Sequence, residues 1–183
     1  KCVESVRGQD LPTFTAIFDN GSTDGTLEWC RQRQNGSPYS TPHSSNTNDF
    51  AFWPEGGNAG VSYGWNKALK LFFENPSCNY FLVLNNDAII PPWFYRTLLE
   101  YNEPFITGVA IDQMPTEPAP SCPLTPNPDF SAFLIRRSAW DTIGTFDEAM
   151  KIYCSDCDYH IRAHQLGVPL WKANVPYYHV NSQ

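Results

Sequence analysis

Residues Tyr80–Asp87, reading YFLVLNND, limit what this chain can become more than any other stretch. The apolar part has no polar residue at every second position, so it cannot be a strand with one face in water. A strand of this kind is buried on both faces, which requires packed layers above and below it. Asn85, Asn86 and Asp87 then stop the run and place a carboxylate where the strand ends.

Other segments supply the rest of such a fold. Thr13–Asp19 (TFTAIFD) and Phe130–Ile135 (FSAFLI) read as strands, and Phe50–Trp53, Phe105–Ile111, Pro169–Lys172 and Tyr177–Val180 are weaker candidates. Helices fall between them. Thr23 or Asp24 can cap a helix running to about Gln34. Val61–Phe73 carries Val61, Trp65, Ala68, Leu69 and Phe72 at helical spacing. Pro91 or Pro92 suits the first turn of a helix reaching Tyr101, and Ser155–Leu166 forms a fourth helix closed by Gly167. Alternation of this kind predicts a single α/β domain over residues 1–183, with a mostly parallel central sheet and flanking helices. Cys2–Gln9 reads as the end of an amphipathic helix. A strand is expected before it, so the N-terminal strand of the fold is expected to be missing from this chain.

Two stretches resist regular structure. Asn35–Ser45 is rich in Ser, Thr, Asn and Pro and reads as a surface loop. Met114–Asp129 holds Pro115, Pro118, Pro120, Pro123, Pro126 and Pro128, which excludes a helix or an inner strand there. So long a loop inside one domain is expected to be mobile or functional.

Composition narrows the function. The formal net charge is −7, a poor match for a polyanion, so nucleic acid is not an expected partner. Charged residues are 17 % of the chain, below the roughly 25 % of an average domain, while aromatics reach 15 %. That balance favours a packed domain and apolar or sugar-like ligands. No apolar run approaches the roughly 20 residues of a membrane-spanning helix. Most of the six cysteines are read as buried thiols of a reducing compartment, and their even number leaves a secreted reading open. Cys154-x-x-Cys157 as a redox pair or half a zinc site is the lesser reading, since no second pair follows at suitable spacing.

Four motifs carry candidate chemistry. In Phe18–Thr26 (FDNGSTDGT) a strand delivers Asp19 at its carboxyl end, followed by a turn and a helix start. Ligands of open α/β sheets bind at such ends, and Asp19 there can accept hydrogen bonds from a base or a ribose; a plain βα turn is the competing reading. Asp87 suits a hard divalent cation shared with phosphate oxygens, or simply an Asx turn. In Ile143–Asp158, Asp158 is spaced to pair with Arg162 on a helix surface, while Asp156 stays open as a general base. His179, in YYHV, is a ligand candidate or an ordinary structural histidine.

In this order the motifs resemble those of family 2 glycosyltransferases with the GT-A fold, in the branch that includes bacterial rhamnosyltransferases. FDNGSTDGT resembles V-D-N-x-S-x-D-G-[ST]. Asn58-Ala59-Gly60 with Asn66 resembles N-x-G…N, and LNND resembles the relaxed D-x-D of that family. Phe133–Glu148 (FLIRRSAWDTIGTFDE) resembles the [FM]-L-[IV]-R-R…G-x-F-D-E segment, and YCSDCDYHIRAHQLG resembles Y-x-E-D-x-D-[LY]-x-x-R…G, with Ser155 and Cys157 as departures. The resemblance implies a Rossmann-like GT-A domain that transfers a sugar, rhamnose in that branch, from a nucleotide-diphospho-sugar (UDP-, dTDP- or GDP-linked) to an acceptor hydroxyl of a glycan or glycoconjugate, with inversion. It implies that Asp19 contacts the nucleobase, that Asn58 and Asn66 line the nucleotide pocket, and that Asn85 stands near the ribose or diphosphate. Asp87 then holds Mn²⁺ or Mg²⁺, with His179 as a second ligand, and Asp156 is the general base. It also implies a cytoplasmic enzyme, at most at the cytoplasmic face of a membrane. Trp53, Trp65, Trp93 and Trp140 are candidates for stacking on sugar faces. Met114–Asp129 is expected beside the acceptor side of the cleft. Two other readings remain: a sugar nucleotidyltransferase, which would want a Gly-rich basic phosphate loop, and a carbohydrate-binding or inactive glycosyltransferase-like module. Asp87 and Asp156 lining one cleft about one sugar apart would favour catalysis, and either of them pointing to solvent elsewhere would favour the module.

Overall fold

In a computed structural model of the chain, residues 1–33, 50–54, 56–120, 122–151 and 153–180 are described. The Asn35–Ser45 loop lies outside them. Six helices and seven strands follow in the order α1 (Cys2–Arg7), β1 (Thr15–Asp19), α2 (Thr26–Arg33), β2 (Phe50–Pro54), α3 (Val61–Phe73), β3 (Tyr80–Leu84), β4 (Ala88–Ile89), α4 (Phe94–Glu100), β5 (Phe105–Ile111), β6 (Ala132–Arg136), α5 (Arg137–Ile143), α6 (Ser155–Gln165) and β7 (Trp171–His179) among the described residues.

A five-stranded sheet has the order β3-β6-β5-β7-β4, and β1 and β2 form a separate parallel ladder. The α/β class and the helix-flanked sheet are as the sequence predicts; the pairing is more mixed than mostly parallel. β3, β5 and β7 run in one direction, but β6 lies antiparallel between β3 and β5, and the two-residue β4 pairs antiparallel with the far side of β7. Only β5 and β7 are parallel neighbours in this sheet.

Alternation along the strands sends side chains into two cores. On β6, Phe133 and Ile135 enter one core, and Ala132 and Leu134 enter the other. Phe105 and Ile106 on β5 divide the same way, as do Val83 and Leu82 on β3. Residues of α3, α5 and α6 (Leu69 and Phe73, Ala139 and Ile143, Tyr159 and Ala163) cover the first face; Phe94 and Leu98 of α4 cover the second. YFLVL sends side chains toward both cores, but it is an edge strand on which only Val83 is buried and the other four residues are half-buried, less than its composition predicts. The first core is largely aromatic. Phe105 stacks on Phe133 with centroids 5.0 Å apart, and Phe146 stacks on Tyr159 at 4.0 Å.

Helix ends follow local chemistry. Asp24 accepts hydrogen bonds from the Thr26 amide (3.1 Å) and hydroxyl (2.7 Å), and α2 starts at Thr26, one residue later than with Asp24 as a simple cap. The carboxyl end of α3 is held by Arg137, whose guanidinium donates to the carbonyls of Phe73, Asn75 and Cys78. Pro91 and Pro92 lie in the turn before α4 rather than in its first turn. The two weak strand candidates at the end of the chain merge into β7. Pro176 is tolerated there because it is paired with β5 on one side, while β4 reaches only Tyr178 and His179 on the other. Asp158 pairs with Arg162 at 2.7 Å, the expected i, i+4 contact.

Cysteines depart from the expectation of mostly buried thiols. All six are free; Cys30 is buried, Cys2 and Cys78 are half-buried, and Cys122, Cys154 and Cys157 are exposed. The proline-rich segment ends at the cleft, where Asp129 lines it, but most of it lies elsewhere. It runs along β7, where Thr125 and Lys172 exchange backbone hydrogen bonds of 3.0 and 2.7 Å. Asn174 donates to the Pro120 carbonyl at 3.2 Å.

Phe105 is fully buried in contact with three aromatic rings (Phe130, Phe133, Tyr159). Phe105→Ala is expected to lower the unfolding free energy by about 3–5 kcal/mol, read from the urea midpoint at unchanged slope.

Candidate active site

Strand ends and the loops after them gather the candidate residues at one cleft. The cleft, of about 1410 Å³, runs between β1 and β3, and every residue of Thr13–Asp19 and Tyr80–Asp87 contributes to its lining. Successive residues of a strand point to opposite faces, so lining by all of them means that the two strand edges form the walls. Asp19, Asn58, Asn85, Asp87 and Asp156 all line this cleft.

Asp19 is 5 % exposed at the end of β1, and its two carboxylate oxygens accept the Ser22 amide at 3.3 Å. The next residue ties two loops together. Asn20 donates to the Asn58 side-chain carbonyl and to the Gly60 carbonyl, each at 3.1 Å, and accepts from the Ala59 amide at 3.0 Å. Asn58 in turn accepts the Gly60 amide at 2.9 Å. The D-N-G and N-A-G segments are thus one hydrogen-bonded unit. Glycine is required twice in it. Gly21 has φ +85°, and a Cβ there would lie 2.8 Å from the Gly57 backbone. Gly60 has φ +97°, and a Cβ would lie 2.8 Å from Lys151.

At the opposite wall, the Asn85 amide donates to the Ser131 carbonyl at 2.9 Å. Asp87 follows in the turn, and its Oδ1 lies 3.1 Å from His179 Nε2. Antiparallel pairing of β4 with β7 makes this contact: Ala88 is opposite His179, and the Val180 amide donates to the Asp87 carbonyl at 3.0 Å. The expected pair therefore meets, although LNND and YYHV are far apart in sequence. Both side chains keep some exposure, 33 % for Asp87 and 15 % for His179. No group of three or more His, Cys, Asp or Glu side chains able to hold a metal occurs among the described residues. One carboxylate and one imidazole fit a divalent cation whose remaining positions are filled by phosphate oxygens and water.

Asp156 is exposed at the start of α6 and lines the same cleft as Asp87. Its Oδ1 accepts the adjacent Cys157 amide at 2.9 Å. Cys154, just before the helix, has φ +67°, a left-handed conformation that turns the chain into α6. The Asp156 carboxylate is the main influence pushing the Cys157 thiol up, the reverse of what an activated redox cysteine needs.

Three expectations change. Asn66 does not line the cleft. It is buried, its amide donates to the Phe146 carbonyl and to Glu148, each at 2.9 Å, and its oxygen accepts the Phe146 amide at 2.8 Å. Both N–H donors are engaged, which leaves none for a nucleotide. Of the described residues of Met114–Asp129, Asp129 alone lines the cleft; Pro118 and Ala119 border a separate small hollow with Trp93. Trp140 packs into the first core and Trp93 against the second, away from the cleft. Trp65 alone of these both packs on Phe133 and Phe146 and lines the cleft. The side chain of Trp53 lies outside the described residues. Conversely, Lys151 and Tyr153 reach the cleft without having been singled out. They occupy connecting segments without periodicity, and only the quoted motifs around them hinted at their place.

Comparison with known proteins agrees with this fold. No curated protein matches the chain. Among solved structures, S. aureus TarS 1–349 superposes with a TM-score of 0.61 at 17 % identity, over 99 % of this chain and 53 % of that one. The mannosyltransferase PcManGT from Pyrobaculum calidifontis, in complex with GDP-Man and Mn²⁺, gives 0.64 at 14 % identity, over 97 % of this chain and 51 % of its own. GalNAc-T7 with UDP, GalNAc and Mn²⁺ gives 0.66 at 10 % identity, over 97 % and 40 %. The chain thus spans about half the length of these proteins or less, and at such identities the likeness is one of fold. The model for Glycosyl transferase family 2 matches residues 1–153, which is most of the sequence, and the chain belongs to that family.

Proposed function

We propose that this domain transfers a sugar from a nucleotide-diphospho-sugar to an acceptor hydroxyl, with inversion at the anomeric carbon. The observation that carries the reading is that Asp19, Asn85, Asp87 and Asp156 line one cleft. Asp87, read as the carboxylate for a cation, and Asp156, read as the one for a proton, both border this space.

In this reading Asp19 accepts hydrogen bonds from the nucleobase, with Asn58 beside it. Asn85 stands near the ribose or diphosphate. Asp87 and His179 hold Mn²⁺ or Mg²⁺ together with the diphosphate. When bound, the cation neutralises charge that grows on the leaving diphosphate. Asp156 accepts the proton of the acceptor hydroxyl as its oxygen attacks the anomeric carbon. The bond to the diphosphate breaks through an oxocarbenium-like state, and attack from the opposite face inverts the centre. UDP-bound TarS and the GDP-Man and UDP complexes above support a nucleotide donor. For the sugar, the branch resemblance favours rhamnose, and for the acceptor a glycan or glycoconjugate. No helix among the described residues is long and apolar enough to cross a membrane.

Asp156→Asn is expected to lower kcat by roughly 10²–10⁴ with nucleotide affinity unchanged, since proton transfer alone is lost. Loss of donor binding instead would remove the base assignment. Asp87→Ala is expected to weaken donor binding in the presence of Mn²⁺ by roughly tenfold or more in calorimetry. An identical isotherm with Mn²⁺ and with EDTA, in the unaltered chain, would count against the cation site. A screen of UDP-, GDP- and dTDP-sugars, rhamnosyl donors included, identifies the donor by its hydrolysis and transfer.

A further inference from the structure

We infer that Asn66 and its partner Glu148 are positioning residues that set Asp156 relative to the donor-binding loops. The inference rests on the reading of Asp156 as general base, and adds a role for two side chains that do not touch substrate.

Ser62 and Asn66 are one helical turn apart on α3, so they share a face. Both are buried, Ser62 at 0 % and Asn66 at 6 % exposure. Both grip the same stretch of chain. The Ser62 hydroxyl donates to the Met150 carbonyl at 3.0 Å, and Asn66 holds Phe146 from both of its backbone groups while reaching Glu148. The Val61 amide adds a bond to the Lys151 carbonyl at 2.9 Å. The first two turns of α3 therefore hold this stretch at four residues, Phe146, Glu148, Met150 and Lys151. Asp156, the second residue of α6, lies five positions beyond the last of them.

Fixing this stretch on α3 also fixes it to the donor side. α3 starts after Gly60, and Gly60 is part of the unit zipped by Asn20 next to Asp19. One helix thus carries the loop beside the nucleobase carboxylate at its start, and the leash of the base along its side. No bond of Asp156 itself reaches beyond the neighbouring Cys157 amide among those described. Its aim is set by the leash and by the turn at Cys154. A carboxylate misplaced by about 1 Å costs on the order of a hundredfold in rate, whereas donor binding depends on the loops that stay in place.

The test uses two substitutions with different risks to folding. Glu148 is exposed, so Glu148→Ala leaves the core intact, and Glu148→Gln keeps an oxygen to accept the Asn66 amide. Asn66→Ala removes the whole clasp. For Asn66→Ala, kcat is expected to fall by about tenfold or more with donor KM within about threefold, the split that misplacement of a base produces. Amide exchange across residues 147–156 is expected to accelerate while β5 and β6 stay protected. Glu148→Ala is expected to show a smaller loss of the same kind, and Glu148→Gln to restore the parent kcat. If Asn66→Ala does not fold, the Glu148 pair and Ser62→Ala decide. Unchanged kcat and unchanged exchange in folded variants, or a loss confined to KM, overturns the positioning role while the transferase reading stands. An unaltered chain that neither binds nor hydrolyses any nucleotide-sugar overturns that reading instead, and this inference with it.

Discussion

The architecture depends on β6 lying between β3 and β5. Its alternate side chains, Phe133 and Ile135 against Ala132 and Leu134, feed two cores at once. Burial on both faces excludes water from the sheet and makes each backbone group there rely on a neighbouring strand. Residues 0–1 % exposed along this strand are the consequence. Apolar burial at about 25 cal/mol per Å² is the dominant favourable term for such a layer. Polar chemistry is therefore displaced to where strands stop: Asp19 after β1, Asn85 and Asp87 after β3, His179 at the end of β7. The candidate polar residues sit at these ends because the sheet cannot hold carboxylates inside itself.

How much was legible in the sequence depended on the length of the signal. β3 and α3 have the bounds that the pattern predicts, because a five-residue apolar run and thirteen residues of helical periodicity leave little alternative. β4, with two residues, is too short to carry a pattern, and α5 follows β6 directly with no proline or cap residue to mark its start, as the prolines mark α4. β7 was split in two by its Asn174-Val175-Pro176 stretch; only the missing partner on its outer side explains how a proline fits. Strand direction was the hardest part. β6 is apolar like its neighbours, and nothing in its residues states that it runs the other way.

The site shows the same division. Motif order was enough to bring Asp19, Asn58, Asn85, Asp87 and Asp156 to one cleft and His179 against Asp87. Asn66 shows what a motif position does not reveal. An asparagine in a helix reads equally as a ligand contact or as a buried bracket for a passing loop. Only its three bonds to Phe146 and Glu148 decide. The tryptophans teach a similar lesson: an aromatic excess was mostly needed inside, where Phe105, Phe130, Phe133, Phe146 and Tyr159 form one continuous set of ring contacts.

Trp65 belongs to both worlds. One side packs on Phe133 and Phe146, and the other borders the cleft, as do the core residues Phe72, Val83 and Phe130. Wall and interior are the same side chains. Reshaping the pocket for another ligand by trimming them would open a void in the core, where large-to-small changes cost about 2–5 kcal/mol. With a typical margin of only about 5–15 kcal/mol, few such changes can accumulate. Exposed polar side chains beyond the strand ends, Asp156 among them, can be exchanged without opening such a void.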